Sequence, residues 1–184
     1  MNMRVLVFAA TNHRQSINLQ LAKYVAQRVK NTSQQMIEVE LLDLNDYEMP
    51  IYSQDREEAS GMPQLAHDFR AKISETDAII IGFAEHNGTY SAAYKNVFDW
   101  TSRIDRSVYQ NKPALLLATS PGPSGASTVL SQAITSAPYF DMNVAGSFSL
   151  PSYFDNFQGA GEPIKDAVLE QQLLDVIDTL VAKI

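Results

Sequence analysis

Residues 77–103 read DAIIIGFAEHNGTYSAAYKNVFDWTSR. Residues 77–83 are a short, unbroken, isoleucine-rich run led by an acid, the composition needed by a parallel strand buried on both faces. Glu85, His86, Asn87, Gly88 and Thr89 then turn polar, and from Ala92 apolar residues recur every three to four positions through Ala93, Val97, Phe98 and Thr101. The order is strand, polar loop, amphipathic helix. In an open parallel sheet such a loop lies at the carboxyl edge of the strands, where ligands bind beside the reversal of strand order.

Working outward, the same alternation repeats. Residues 4–10 (RVLVFAA) predict a central first strand, and Ser16 is placed to cap a helix whose apolar side is Ile17, Leu21, Tyr24, Val25 and Val29. Residues 36–44 predict an edge strand. A long connection, 45–62, carries Pro50, Gly61 and the charge run Asp55, Arg56, Glu57, Glu58. Pro63 opens a helix bearing Leu65, Ala66, Phe69 and Ile73. Residues 114–119 (ALLLAT) predict a further buried strand, the loop SPGPSG at 120–125 opens a helix through Val129, Leu130, Ala133 and Ile134, and 143–150 is a weaker fifth strand. A polar loop with aromatic residues, 151–163, precedes a last helix faced by Leu169, Leu173, Val176, Ile177, Leu180, Val181 and Ile184. Five strands alternating with five helices predict a doubly wound α/β sandwich, a parallel sheet with helices on both faces. At 184 residues the chain, 1–184, is read as one domain.

Composition narrows the chemistry. The absence of cysteine excludes disulfides, zinc-thiolate sites, iron–sulfur clusters and thiol catalysis, so redox work requires a bound cofactor. A net charge of −7 argues against broad nucleic-acid binding. No stretch approaches a membrane span, and the six apolar residues before Thr11 are too few for a signal peptide, which makes the cytoplasm the expected location. Yet no Asp or Glu precedes Glu38, while Arg4, Arg14, Lys23, Arg28 and Lys30 do. That segment suits either a small anion or a solvated basic helix face.

The loops after the first, third and fourth strands carry the candidate site. In the first, Thr11, His13, Arg14, Ser16, Ile17 and Asn18 bring hydroxyls, an amide and a cation to a helix start. Free N–H groups and the helix dipole suit a phosphate there, and ordinary capping by Ser16 accounts for the residues equally well. The P-loop and GxGxxG patterns are missing. In the third loop, Ala84, Glu85, His86, Asn87, Gly88 and Thr89 could cradle a flat ring. A hairpin at Asn87-Gly88 is not expected between a buried strand and an amphipathic helix, although that dipeptide marks hairpins. In the fourth, Ser120, Pro121, Gly122 and Gly125 offer backbone donors or simply a turn. The three histidines lack metal-ligand spacing, so no metal is expected; His13 and His86 are read as site-lining and His67 as solvated. Ser124 lies in GPSG, not GxSxG.

Taken together, these loops resemble the NAD(P)H-dependent FMN reductase family of the flavodoxin-like fold. Its Ser, then Ser-x-Asn, is matched by Thr11 and Ser16-Ile17-Asn18; its Pro-Glu-Tyr-Asn-Gly-Ser by Ala84-Glu85-His86-Asn87-Gly88-Thr89; its Leu-Lys-Asn-x-x-Asp-Trp-x-Ser-Arg by Tyr94-Lys95-Asn96-Val97-Phe98-Asp99-Trp100-Thr101-Ser102-Arg103. Ala10, Ala84 and His86 depart from the usual Gly, Pro and Tyr. The resemblance implies a five-stranded sheet in the order 2-1-3-4-5, FMN with its phosphate in the first loop and its ring between the third and fourth, NAD(P)H as co-substrate, and a small-molecule acceptor: a quinone, a nitro or azo compound, or free flavin. It also implies a homodimer or homotetramer. Hydride transfer needs a stacked geometry with reacting atoms roughly 3–3.5 Å apart, so no catalytic acid or base is assigned. The competing reading is a flavodoxin-like electron carrier without nucleotide turnover.

Overall fold

The computed structural model describes residues 2–184. Five parallel strands form one sheet: β1 (Met3–Ala9), β2 (Ile37–Leu41), β3 (Ala78–Phe83), β6 (Pro113–Thr119) and β7 (Asn143–Leu150), in the order β2-β1-β3-β6-β7. Counting sheet strands alone, this is the expected 2-1-3-4-5, the flavodoxin-like doubly wound arrangement. The apolar runs are explained by burial on both faces. Alternate side chains divide between two cores: Val5, Val7, Ile80, Leu115 and Leu117 pack under α1 (Ile17–Thr32) and α7 (Ala167–Val181). Leu6, Phe8, Ile79, Ile81 and Leu116 pack under α3 (Gln64–Ser74), α4 (Ala92–Ile104) and α5 (Ser127–Ser136).

Three stretches differ from the sequence-based expectation. Asn87 and Gly88 have φ of 53° and 78°, and they join β4 (Glu85–His86) to β5 (Thr89–Tyr90) as an antiparallel two-residue hairpin. The expectation of no hairpin here is therefore wrong, because consecutive positive φ values suit the primed turn that Asn-Gly favours. The polar loop itself becomes the hairpin, inserted between β3 and α4. The connection 45–62 is not a plain loop: it contains a 3₁₀ turn, Leu44–Tyr47, and a helix, α2 (Gln54–Ser60). Ser53 caps α2 and Gly61 ends it with φ of 71°, but no α2 residue is buried, so it has no apolar face to reveal it. The loop 151–163 carries one further helical turn, α6 (Tyr153–Asn156).

Candidate functional site

A cleft of about 300 Å³ opens at the carboxyl edge of β1, β3 and β6. From the first loop it is lined by Thr11, His13, Ser16, Ile17 and Asn18; from the third by Ala84, Glu85 and His86; from the fourth by Ser120 and Pro121. The three loops converge. Arg14 is exposed and forms no ion pair among the described residues. Asn87, Gly88 and Thr89 form the exposed tip of the hairpin, outside the lining. A Cβ at Gly122 would meet only Ser120 Oγ, at 4.0 Å, so the space beside it is open. Gly125 serves the scaffold instead: it has φ of 59°, and a Cβ there would press on Ser149 Oγ and on Pro151 N at 2.9 Å.

The first loop is a set of donors. Ser16 caps α1, its Oγ accepting the Asn18 N–H at 3.2 Å, and Thr11 Oγ1 accepts the His13 N–H at 3.3 Å. Both residues are buried and line the cleft, and among the described residues neither hydroxyl donates to the protein. The first turn of α1 contains no acid. Hydroxyl donors, free helix N–H groups and a positive dipole end without a competing carboxylate fit a phosphate. A second helix start is already occupied by a carboxylate: α5 begins after Ala126, a left-handed residue with no side-chain cap, and Glu85 Oε2 fills that role by accepting the Val129 N–H at 3.0 Å. The donor set thus fits FMN with its phosphate at α1.

Buried cross-ties fix the loops relative to one another. Asn18 Oδ1 accepts the Thr119 N–H at 2.9 Å and its Nδ2 donates to the Thr119 carbonyl at 3.1 Å, locking the first loop to the fourth. Ser91 caps α4, accepting the Tyr94 N–H at 3.2 Å, and donates to the Ala10 carbonyl at 2.7 Å, joining the end of the hairpin to the end of β1. The hairpin lies along one face of α5: beyond the Glu85 link, Thr89 Oγ1 bonds Gln132 at 2.9 Å and Tyr90 Oη meets Ser136 Oγ at 3.1 Å. Spacings of three and four residues put Val129, Gln132 and Ser136 on that face. Asn18 and Glu85 are therefore clamps whose own polar groups are largely engaged.

Gln15, Thr119 and Phe154 also line the cleft, and no motif in the sequence points to them. Ser91 does have a signal that the motif reading passes over, because a serine directly before Ala92-Ala93 is placed as an N-cap. Among the described residues there is no group of His, Asp or Glu arranged to hold a metal, and no helix is long and apolar enough to cross a membrane. No residue of the most specific sequence block, 94–103, lines the cleft. Asn96, Trp100 and Arg103 grip the 49–57 segment instead: Asn96 Nδ2 donates to the Met49 carbonyl at 2.9 Å, Trp100 Nε1 to the Pro50 carbonyl at 2.7 Å, and Arg103 Nε to Glu57 at 2.9 Å.

The family model described as NADPH-dependent FMN reductase matches residues 3–155. A 2-hydroxy-1,4-benzoquinone reductase from a Burkholderia species is 29% identical over 143 residues, covering 77% of this chain and 74% of the relative. An NADPH:quinone oxidoreductase from Arabidopsis thaliana is 29% identical over 155 residues, with 79% and 74% covered. Among solved structures, the flavoenzyme NAD(P)H:(acceptor) oxidoreductase from Paracoccus denitrificans has a TM-score of 0.70 at 22% identity, with 98% of this chain and 96% of that one covered, a likeness of fold. With a match spanning all five strands of the sheet and all three loops of the cleft, the chain belongs to the NADPH-dependent FMN reductase family, oxidoreductases with FMN as cofactor and a nicotinamide nucleotide as reductant.

Proposed function

We propose that the protein is an FMN-dependent NAD(P)H oxidoreductase whose preferred acceptors are quinones. The observation that carries the reading is the acid-free N-terminus of α1, where Thr11 and Ser16, both buried, carry hydroxyls with unassigned protons. Bound there, FMN would supply the redox chemistry, taking hydride from the nicotinamide and passing electrons to the acceptor. Thr11, Ser16 and the free N–H of Ile17 at the start of α1 would hold the phosphate, with Asn18 fixing the turn and Arg14 and His13 at its rim. Ala84, Glu85 and His86, facing Ser120, Pro121 and the open space beside Gly122, would border the ring, with Asn87, Gly88 and Thr89 at the hairpin tip beyond it and Gly125 supporting the fourth loop from behind. The Asn18 and Glu85 clamps keep those walls at a fixed separation before any ligand arrives, which is the contribution a stacked hydride transfer asks of a protein. No side chain is assigned a proton-transfer role.

Quinones come first because several relatives are named as quinone reductases. Nitro and azo compounds and free flavin are the further acceptors to try. The proposal includes self-association as a homodimer or homotetramer and a cytoplasmic location, tested by light scattering and by cell fractionation. The deciding experiment titrates apoprotein with FMN, following flavin fluorescence, then assays NADH and NADPH oxidation with benzoquinone. Saturable quenching and quinone-dependent turnover support the reading. Absence of binding overturns it, and bound flavin without turnover of either nucleotide identifies an electron carrier.

A further inference from the structure

The wall of the cleft beyond the three expected loops is Phe154, and its setting is unusual for a phenyl ring. It is 72% exposed while lining the cleft, although its neighbours in sequence are well anchored. Ser152 enters the turn in the left-handed region, φ 47°, a conformation a serine adopts at a cost. The Ser152 N–H donates to the Gly122 carbonyl at 2.9 Å and the Tyr153 N–H to the Ser120 carbonyl at 3.0 Å, fastening α6 to the fourth loop. Tyr153 is buried, its Oη donating to Gln20 Oε1 at 2.8 Å on α1 and its ring stacking on Phe157 with centroids 4.9 Å apart. Phe154 meets the Tyr153 ring edge-on, with centroids 5.3 Å apart and planes at 86°.

The fold thus holds a strained, doubly tied helical turn in place and leaves its largest apolar side chain bare at the mouth of a cleft. An exposed aromatic on a rigid support loses little entropy when it gains a partner, and a flat apolar face selects a flat apolar face. We propose that Phe154 is a specificity-determining residue, an aromatic wall that packs against a planar ring in the cleft. The ring is that of FMN itself or of the nicotinamide or quinone entering beside it, the chemistry being the same in each case. This rests on the flavin reading above and adds a residue to it that no motif of the first, third or fourth loop contains.

The test compares Phe154→Ala, Phe154→Leu and Phe154→Trp with wild type, circular dichroism confirming that each is folded. Two quantities are read: FMN dissociation from fluorescence titration of apoprotein, and the KM values for NADPH and benzoquinone with kcat. Loss of one aromatic contact is expected to weaken the affected constant by about three- to tenfold in Phe154→Ala, with Phe154→Leu between and Phe154→Trp near wild type. A weaker FMN constant places the isoalloxazine against Phe154; an unchanged FMN constant with a raised KM places the nicotinamide or quinone there. If wild type binds FMN and all constants survive Phe154→Ala, the proposal falls alone. It also falls if only the oligomeric state changes, since Phe154 is then a subunit contact. If wild type itself fails to bind FMN, the flavin reading falls and takes this one with it.

Discussion

The side-chain amide of Asn18 pairs with the peptide of Thr119 in both directions, accepting its N–H at 2.9 Å and donating to its C=O at 3.1 Å. The β3–β6 register ends at Phe83 with Ala118, so Thr119 lies one residue beyond that ladder and the Asn18 amide continues it. Both residues are buried. Asn18→Ala would leave two buried polar groups without partners, at a cost of about 2–6 kcal/mol from roughly 1–3 kcal/mol each. Urea unfolding should show this loss, and FMN titration of the folded fraction should show weaker binding, because the first and fourth loops are no longer tied.

Gly82 lies on β3 directly under the start of α1. A Cβ at that position would overlap the Asn18 carbonyl oxygen, a backbone atom with no rotamer to yield. Gly82→Ala is expected to push α1 outward and destabilise the protein by about 1–3 kcal/mol, the usual penalty of overpacking. Because the displaced turn holds Ser16, FMN affinity should fall together with the unfolding midpoint. An unshifted midpoint would show that the helix does not pack this closely.

Asn96 is the clasp on the segment between β2 and α3. It accepts the Tyr52 N–H at 2.8 Å and donates to Met49 and Pro50, while Trp100 meets the Tyr52 ring edge-on at 5.0 Å. Asn96→Ala removes two partly buried hydrogen bonds, to Tyr52 N–H and the Met49 carbonyl, and an exposed one to the Pro50 carbonyl that Trp100 still serves, and should cost about 1–3 kcal/mol. Hydrogen exchange should locate the change, with faster exchange at Tyr52 and through α2 and protection in β1 and β3 retained. Uniform acceleration across the sheet would contradict a local clasp.

Two buried phenols set the response to alkali. Tyr94 and Tyr109 share a hydrogen bond between their hydroxyls, and burial pushes both pKa values up from 10.0. Tyr153 is pushed up to about 12 by the same cause. A raised folded value means that the native state keeps protons which the unfolded chain releases. Stability is therefore intact below pH 10 and declines as pH rises from there through the folded values, by up to about 1.4 kcal/mol per pH unit for each phenol. Denaturation midpoints at pH 9 and 11 should differ accordingly. Tyr94→Phe with Tyr109→Phe should flatten the decline without abolishing it, since Tyr153 remains.

The central strands are legible because burial on both faces demands unbroken apolar runs, and β1, β3 and β6 show them, whereas the order of the sheet followed from the family resemblance. The two added helices are not. In α2 every residue is polar or small and none is buried, so periodicity has nothing to report. The single turn α6 is held by hydrogen bonds to the Ser120 and Gly122 carbonyls, which are distant in sequence. The Asn87-Gly88 hairpin is marked by its dipeptide, while its place between a buried strand and a helix argues against it. Docking on α5 is what makes that place tolerable.

What residue order alone settled was local: which segments alternate, that no acid sits at the start of α1, and that Thr11, Ser16 and Glu85 fall in the turns at the ligand edge. These follow from spacing and charge, which are properties of neighbours along the chain. Only the folded molecule decided that Asn18 and Glu85 would act as clamps, that the 94–103 block would hold a strap instead of a ligand, and that Phe154 would stand at the mouth of the cleft. Each of these depends on pairings across tens of residues, where a side chain's partner is chosen by packing and by the need to satisfy buried polar groups.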